Sequence, residues 1–313
     1  MISTFSGVGG SSLGYQLAGG KVRLAVEWDK NAVAIYRKNF PDTPLVAGDI
    51  NELTVKQCVE LSGMAPGEVD IFDGSPPCQG FSTAGHREYG DERNQLFRQY
   101  TRLLKGLQPK VFVMENVSGM VKGPMKLIFV ECLKELKSCG YQVKAKLLNA
   151  KYYNTPQSRE RLIFIGVRND IDIEPTYPKP SNKIVTVRDA LRDCPDWCVQ
   201  WPTPGTKGEK MATGMKHWQK GSEYQRKGAL FNHVKLGWNK PCMTITCMGE
   251  FYHPLHARKL SGAELKRLAT FPDEFEFIGV VSTVQKRIGN CVPPNFMRAI
   301  ASHIYQEILQ KIK

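Results

Sequence analysis

The chain has 313 residues, of which 42% are hydrophobic and 23% are charged, and this balance is ordinary for a globular protein. It excludes a disordered chain, a collagen or a disulfide-rich scaffold as the main description. The 43 Lys and Arg residues against 30 Asp and Glu residues give a net charge of +13. Such a charge favours a polyanionic partner, nucleic acid above all, although a basic enzyme with an uncharged substrate stays open.

The nine cysteines are scattered along the chain and form no CxxC pair. This pattern argues against a disulfide framework and against a zinc site of ordinary spacing. No apolar run approaches the ~20 residues that a membrane-spanning helix needs. The first residues, from Met1 to Phe5, do not resemble a secretory signal. We therefore expect a reduced, cytoplasmic protein with no bound metal and no membrane contact.

The first 170 residues alternate strand-like and helix-like segments. Strands are predicted at 24–26, 69–72, 111–114 and 162–165. Helices are predicted over 31–39, ending at Pro41, and between the last two strands, where Leu127, Val130, Leu133 and Leu136 share one face. Strands that alternate with helices indicate βαβ units and a mostly parallel sheet.

The composition changes at about residue 169, where prolines become frequent and four of the five tryptophans follow. This indicates a separate, irregular, basic unit over 169–254, either a solvated insertion or a module with aromatic anchors that contacts nucleic acid. The charge of the whole chain favours the second interpretation. Residues 1–168 and 255–313 form the other predicted domain, with helical patterns at 261–270 and 295–312. The segment 285–294 is predicted to be a turn followed by a helix start.

A glycine-rich segment from Phe5 to Gly10 follows a minimal first strand and opens a helix. Glycines let the backbone approach a ligand, and a helix start aims amide donors at it. The dinucleotide fingerprint is not met, because Ser12 stands where the third glycine belongs. Glu27 follows about 20 residues later, where an acid can accept from ribose hydroxyls, and Asp49 is placed to accept from an adenine amino group. A nucleoside cofactor is indicated, while a turn that serves only packing stays open.

The strongest motif runs from Asp73 to Ser82 and places Cys78 after two prolines. The prolines impose an extended approach to Cys78, at the carboxyl end of a predicted parallel strand, where open sheets carry their active sites. A thiol near positive charge or a helix start ionises readily and becomes a nucleophile. The alternative is a buried, inert cysteine.

Two further segments carry candidate polar groups. Glu115 ends the strand at 111–114, on the same edge as Cys78 if the sheet is parallel, and can act as an acid towards a ring nitrogen. Arg159 and Arg161 lie two residues apart, so in an extended segment both guanidinium groups face one way and suit a carbonyl, carboxylate or phosphate. Surface charges without a site are the alternative for all three.

Together these segments resemble the DNA (cytosine-5) methyltransferase family. The resemblance covers 5–167 and 240–313 in the family's order, and it is carried by the motifs at 76–82, 115–117, 157–161 and 289–290, with a further block at 258–272. It implies an α/β fold with a Rossmann-like, mostly parallel sheet, as in class I methyltransferases. It also places a small target-recognition domain at 169–254. Cys291 departs from the family, which has Ala or Ser there.

The resemblance implies S-adenosylmethionine as the cofactor and S-adenosylhomocysteine as the product. The residues that it assigns to cofactor binding are Phe5, Gly7, Gly9, Glu27, Trp28, Asp49, Ile50, Pro77, Leu96 and Asn290. In the implied mechanism the Cys78 thiolate adds to C6 of cytosine, which makes C5 carbanion-like. Glu115 then hydrogen-bonds N3 and the exocyclic amine, Arg161 holds O2, and Arg159 steadies Cys78. The base that removes the C5 proton is not identified.

Double-stranded DNA is the implied substrate, with the target cytosine flipped out of the stack. Candidate DNA contacts are Gln79, Ser82, Lys207, Lys210, Lys216, Arg226, Lys227 and Thr244. No obligate protein partner is implied, and we expect a monomer of prokaryotic or phage origin. Whether it serves restriction–modification or acts alone stays open.

Three rival functions are weighed against this interpretation. The first is a tRNA cytosine-5 methyltransferase on the same scaffold. By resemblance, that branch has Pro-Phe-Thr after the glutamine, whereas Gly80, Phe81 and Ser82 follow here. A catalytically silent DNA-binding homologue is disfavoured by intact Cys78 and Glu115. A nicotinamide dehydrogenase lacks its third glycine and leaves the Cys78 motif without a role.

Overall fold

The structure is a computed structural model that describes residues 1–77, 92–123, 125–194, 213–215 and 233–312. Its contacts divide the chain into two compact units. The first comprises Met1–Leu148, Glu160–Lys179 and Met297–Lys313, and the second comprises Asn149–Arg159 and Pro180–Phe296. These boundaries differ from the predicted domain limits at 169 and 254, which concern function and stay a prediction.

The first unit is a seven-stranded sheet with helices between the strands. Its strands are β1 (Ile2–Thr4), β2 (Leu24–Glu27), β3 (Leu45–Ala47), β4 (Ile71–Gly74), β5 (Val111–Val117), β6 (Tyr141–Asn149) and β8 (Glu160–Arg168). Its helices are α1 (Gly10–Leu17), α2 (Lys30–Asn39), α3 (Val55–Ser62), α4 (Glu92–Leu107), α5 (Met125–Ser138) and, for the most part, the last helix of the chain, α9 (Pro294–Glu307).

The strand order is β3-β2-β1-β4-β5-β8-β6, with β1 at the centre of a run of parallel pairs. Strand β8 pairs with β5 in antiparallel register, so that Val117 lies opposite Arg161. The predicted Rossmann-like, mostly parallel sheet is therefore confirmed. The carboxyl ends of β1, β2, β4 and β5 share one edge, which is where open α/β sheets bind ligands.

Burial explains why these short segments form strands. Every residue of β1, β2 and β4 is buried, as expected for parallel strands that helices cover on both faces. The helices begin at side-chain caps: Asp29 accepts from two amides at the start of α2, and Thr54 with Gln57 forms a capping box at the start of α3. The caps therefore fix where α2 and α3 begin after the strands that precede them.

Helix α5 buries a different face from the predicted one. Ile128, Cys132 and Leu136 are buried, whereas Leu127 is 64% exposed and Val130 is 44% exposed. The helix carries two apolar stripes, and the stripe with a four-residue spacing packs into the sheet's core. The prediction of an inward-facing Leu127 and Val130 is wrong.

The second unit is built from short elements. They are β7 (Gln157–Ser158), α6 (Val187–Leu191), β9 (His233–Lys235), β10 (Cys242–Met243), β11 (Glu250–Tyr252), α7 (Gly262–Leu268) and α8 (Val281–Asn290). Strand β10 pairs with β7, and β11 pairs with β9, both in parallel. The turn predicted within 285–294 is wrong for 285–290, because these residues end helix α8, which buries Val284 and Ile288 on one face. The helix start predicted at the end of that segment is confirmed, since α9 begins at Pro294. Among the helices of the described residues, none is long and apolar enough to cross a membrane.

Candidate active site

A cleft of about 480 Å³ opens at the carboxyl edge of the first unit's sheet. Its volume falls in the range of small-molecule sites, roughly 300–1,000 Å³. The lining comprises seven of the predicted cofactor residues, namely Phe5, Glu27, Trp28, Asp49, Ile50, Pro77 and Leu96. Four lining residues were not predicted: Val26, Gly48, Asn51 and Gln95. Each of the four stands directly beside a predicted residue in the sequence, and this adjacency was the available signal.

Glu27 holds a buried carboxylate at the end of β2. Its Oε2 accepts from the Gly7 amide at 2.7 Å, and its Oε1 accepts from the amides of Trp28 at 3.0 Å and Asp29 at 2.8 Å. These bonds use three of the roughly four acceptor positions of a carboxylate. One acceptor position on Oε2 is therefore left for a ligand hydroxyl. Glu27 was predicted to accept from both ribose hydroxyls, which would need two such positions.

Asp49 and Trp28 form more open parts of the cleft. The Asn51 side chain donates to both carboxylate oxygens of Asp49, at 2.9 and 3.0 Å, and thereby fixes the orientation of an exposed carboxylate. The Trp28 ring is 78% exposed, a high value for so large an apolar side chain. A flat ring held at the mouth of a cleft offers a stacking surface to a planar ligand.

The two predicted glycines of the first loop act through the backbone and packing. Gly7 has a φ of 56° and directs its amide to Glu27. Gly9 has a φ of 94°, and a Cβ there would lie 2.2 Å from Cε2 of Phe40. Neither residue lines the cleft. Gly9 instead allows the start of α1 to pack closely against Phe40 at the end of α2.

Glu115 and Arg161 come together on adjacent strands β5 and β8. Arg161 Nε lies 2.6 Å from Glu115 Oε1, and both side chains are largely shielded from solvent. Arg161 Nη1 also donates to the Glu160 carbonyl at 2.8 Å. The pair presents a carboxylate and a guanidinium side by side, an arrangement that matches a ring edge with neighbouring donors and acceptors.

Asn116 connects this pair to the segment that leads to Cys78. Its Nδ2 donates to the Pro76 carbonyl at 3.2 Å, and its Oδ1 accepts from the Val117 amide at 2.9 Å. No separate role was predicted for Asn116, although it follows Glu115 directly. Cys78, Gln79 and Ser82 lie outside the described residues, so the placement of the predicted nucleophile stays a prediction.

Asp73 is a buried carboxyl on β4, five residues before Cys78. Its side chain accepts from the Tyr15 hydroxyl at 3.2 Å and from the Ser3 hydroxyl at 3.4 Å. Burial raises the pKa of Asp73 to about 7, the nearby Glu115 carboxylate raises it further, and the two hydroxyl donors oppose the rise. No role was predicted for Asp73, since a single Asp at a strand end carries no signal for burial.

Arg159 and Asn290 lie in the second unit. Arg159 is 2% exposed, and it donates from Nη1 to the Ile245 carbonyl at 3.3 Å and from Nη2 to the Gly289 carbonyl at 2.8 Å. Asn290 ends α8, and its Oδ1 accepts from the Cys247 thiol at 2.9 Å. Arg159 therefore holds two backbone segments together, and its predicted contact with Cys78 lies outside the described residues.

Of the predicted DNA contacts, only Thr244 falls within the described ranges. Its hydroxyl is half-buried and donates to the Ser158 carbonyl at 2.9 Å. The residues Lys207, Lys210, Lys216, Arg226 and Lys227 lie outside the described part of the chain. Within the described part, no three His, Cys, Asp or Glu side chains are grouped as a metal site requires.

Comparison with known proteins gives consistent matches over nearly the whole chain. A family model of C-5 cytosine-specific DNA methylases matches residues 1–306. The Type II methyltransferase M.PspPI of Psychrobacter sp. is 35% identical over 97% of this chain and 78% of that protein. The Type II methyltransferase M.NgoPII of Neisseria gonorrhoeae is 34% identical over 97% of this chain and 94% of that protein. A crystal structure described as a DNA modification methyltransferase encoded within an E. coli prophage is similar with a TM-score of 0.82 at 26% identity, covering 98% of this chain and 99% of that one.

Proposed function

The chain belongs to the family of C-5 cytosine-specific DNA methylases, and from that premise we propose that it transfers a methyl group from S-adenosylmethionine to cytosine C5 within a short duplex DNA sequence. One observation carries the proposal, the Glu115–Arg161 pair at the edge that also bears the cleft. Asn116 donates to the carbonyl of Pro76, whose neighbour Pro77 lines the cleft. A ring-binding pair and a nucleoside-sized cleft thus adjoin within one compact unit.

The residues of the cleft fit the cofactor in chemistry and size. Glu27 would accept from a ribose hydroxyl through Oε2, and Asp49 would accept from the adenine amino group. The half-buried Phe5 and the exposed Trp28 ring would cover the adenine faces. When bound, S-adenosylmethionine supplies an electrophilic methyl group, the chemistry that methylation of carbon requires.

The target cytosine requires activation, because its C5 is a poor nucleophile. The Cys78 thiolate would add to C6 and make C5 carbanion-like. Once C5 carries the methyl group, loss of the C5 proton to a base would expel the thiolate and restore the aromatic ring. Glu115 would hydrogen-bond N3 and the exocyclic amine, and Arg161 would donate to O2. Because Arg161 is already paired with Glu115, the two groups approach the ring edge as a unit of fixed spacing.

Access to C6 in a stacked duplex requires that the base leave the helix. Flipping costs a few kcal/mol, which contacts elsewhere in the complex must offset. The net charge of +13 favours contacts with phosphate groups, and we expect the affinity for DNA to fall steeply as salt rises. The Type II designation of the relatives supports a role beside a restriction enzyme in a bacterial cytoplasm.

The decisive experiment is a parallel methyl-transfer assay. The purified chain receives labelled S-adenosylmethionine with unmethylated mixed-sequence duplex DNA or with unmodified total tRNA, and the products are digested to nucleosides and analysed by mass spectrometry. We expect 5-methyldeoxycytidine from the DNA alone. The Cys78→Ala variant is the matched control, which keeps cofactor binding and gives no product.

Each other outcome overturns a stated part of the proposal. 5-Methylcytidine from tRNA would replace the DNA substrate with RNA. No product from either nucleic acid, with cofactor binding intact, would indicate a catalytically silent DNA-binding protein. Normal turnover by the Cys78→Ala variant would refute Cys78 as the nucleophile but would leave the proposed substrate and cofactor unaffected.

A further inference from the structure

The segment that follows β3 in the first unit forms a tight turn at the wall of the cleft. The Glu52 amide donates to the Asp49 carbonyl at 3.1 Å, and the Leu53 amide donates to the Ile50 carbonyl at 3.3 Å. The side chains of Ile50 and Leu53 are buried, whereas those of Asp49 and Asn51 are exposed and line the cleft. The turn is therefore anchored in the core on one side and faces the ligand space on the other.

Arg102 on helix α4 holds the same turn from outside. Its Nη2 donates to the Ile50 carbonyl at 3.2 Å and to the Leu53 carbonyl at 2.6 Å. Hydrogen bonds from a charged guanidinium group are stronger than those between neutral groups. The backbone of the turn is thus fixed before any ligand binds, which lowers the entropy cost of keeping its exposed side chains in one geometry.

Asn51 uses most of the acceptor positions of the Asp49 carboxylate. Oδ1 of Asp49 accepts from the Asn51 backbone amide at 2.9 Å and from Asn51 Nδ2 at 2.9 Å, and Oδ2 accepts from the same Nδ2 at 3.0 Å. A carboxylate offers about four acceptor positions, two on each oxygen. Both positions of Oδ1 are therefore filled, and one position remains for a ligand, on Oδ2.

We propose that Asn51 is a positioning residue that makes the cleft select adenine, because it holds the Asp49 carboxylate so that only Oδ2 accepts from the 6-amino group of the cofactor. This inference rests on the proposed function, which assigns Asp49 to that amino group. Hypoxanthine carries an oxygen at position 6, which would face the carboxylate and has no hydrogen to donate. A carboxylate free to rotate could accept from the neighbouring N1–H of hypoxanthine instead, and Asn51 prevents that rotation.

The test compares two ligands that differ only at the purine, S-adenosylhomocysteine and its 6-oxo counterpart S-inosylhomocysteine. Calorimetry gives both dissociation constants for the full chain and for Asn51→Ala, Asn51→Ser and Glu52→Ala. We expect Asn51→Ala to bind the adenine ligand about three- to tenfold more weakly and the 6-oxo ligand no more weakly, so the preference for adenine falls by at least that factor. Asn51→Ser restores part of the preference, because a hydroxyl can donate to Asp49. Glu52→Ala is the matched control at the next, exposed position of the turn, which does not line the cleft, and it keeps the whole preference.

A double-variant cycle separates this inference from the proposed function on which it rests. Asp49→Ala lowers the affinity for S-adenosylhomocysteine about 10- to 100-fold, and adding Asn51→Ala to it causes no further loss, because Asn51 acts through the carboxylate. Unchanged binding in Asp49→Ala would refute the assignment of Asp49 to adenine. A loss in Asp49→Ala together with losses that multiply in the double variant would overturn the role of Asn51 alone. An unchanged preference in Asn51→Ala, including equal weakening of both ligands, would do the same.

Discussion

Arg161 Nε contacts Glu115 Oε1 across 2.6 Å, and the two side chains are only 13% and 12% exposed. In the register of β5 and β8, Arg161 lies opposite Val117 and Glu115 lies opposite Ile163, so the pair is a diagonal one across an antiparallel ladder. An ion pair so shielded is held firmly, and removal of one partner leaves an uncompensated charge. The direction of β8, which local sequence does not encode, is what brings together two groups that are 46 positions apart.

The first prediction concerns the carboxyl of this pair. Glu115→Gln keeps the shape of the side chain but removes the charge and the acid, so we expect kcat for DNA methylation to fall about 10²- to 10⁴-fold. The dissociation constant of the cofactor, measured by calorimetry, stays unchanged because Glu115 does not line the cleft. A kcat within about threefold of the unaltered enzyme would show that Glu115 takes no part in proton transfer.

The second prediction concerns Glu27 in the cleft of the first unit. Glu27→Ala removes a carboxylate that accepts from three backbone amides, so the loop from Phe5 to Gly10 loses an anchor together with the proposed ribose contact. We expect the affinity for S-adenosylmethionine to fall about 10- to 100-fold, the effect of one or two hydrogen bonds to a charged group. Calorimetry provides the measurement, and Glu52→Ala is the matched control because Glu52 is exposed and does not line the cleft. Equal losses in both variants would point to net charge rather than to a specific contact.

The third prediction concerns the packing of Gly9 against Phe40. A Cβ there would collide with the Phe40 ring, and the φ of 94° is unfavourable for any residue with a side chain. We expect Gly9→Ala to lower the free energy of unfolding by about 2–5 kcal/mol, the sum of overpacking and backbone strain. Denaturant titration measures it, and Gly119→Ala, at an exposed position with no atom within 4 Å of the added Cβ, is the control.

A companion variant identifies the source of this loss. In the Phe40→Leu background the collision with the ring is removed, so Gly9→Ala costs less stability there than in the unaltered chain. An equal cost in both backgrounds would indicate that the φ of Gly9, and not the Phe40 ring, opposes the substitution.

The sequence predicts which residues lie at the strand ends of this site better than it predicts which side chains contact one another. The acidic residues at strand ends were predictable. Buried parallel strands have to be apolar, so the few apolar runs of the sequence identify them, and ligands of open α/β sheets bind where those strands end. Seven cleft residues follow from that rule together with the family resemblance. The partner of a side chain was not predictable, since Asn290 and Cys247 meet only through the approach of a loop to a helix end.

Errors in the predicted elements have the same origin. Residues 285–290 contain Gly289 and precede two prolines, which indicates a turn locally, yet Val284 and Ile288 pack and the helix continues to Asn290. Helix α5 carries two apolar stripes, and tertiary packing rather than periodicity decides which one is buried. The burial of Asp73 is likewise a property of the assembled sheet.

The last prediction follows from that burial. The pKa of Asp73 is about 7 in the folded chain, against an ordinary 3.8, because burial disfavours the charged form. Between pH 3.8 and 7 the folded state keeps a proton on Asp73 that the unfolded chain has lost. The contribution of Asp73 to the free energy of unfolding is therefore fully present below about pH 4 and is lost as the pH rises through 7. For a shift of this size the loss amounts to roughly 4 kcal/mol at most.

Asp73→Asn removes the titration while keeping a side chain of similar shape. Its altered hydrogen bonds with Tyr15 and Ser3 give a constant offset, so only the slope with pH carries information. We expect the free energy of unfolding of the variant, minus that of the unaltered chain, to rise steadily from pH 4 to 7 and to level off above pH 8. Denaturant titrations at each pH give this difference, in which other titrating groups such as His253 cancel. Asp42→Asn, at an exposed position, is the control for the loss of one carboxylate. A difference that is independent of pH would mean that Asp73 ionises in the fold as readily as it does in the open chain, and that its hydroxyl donors outweigh the burial.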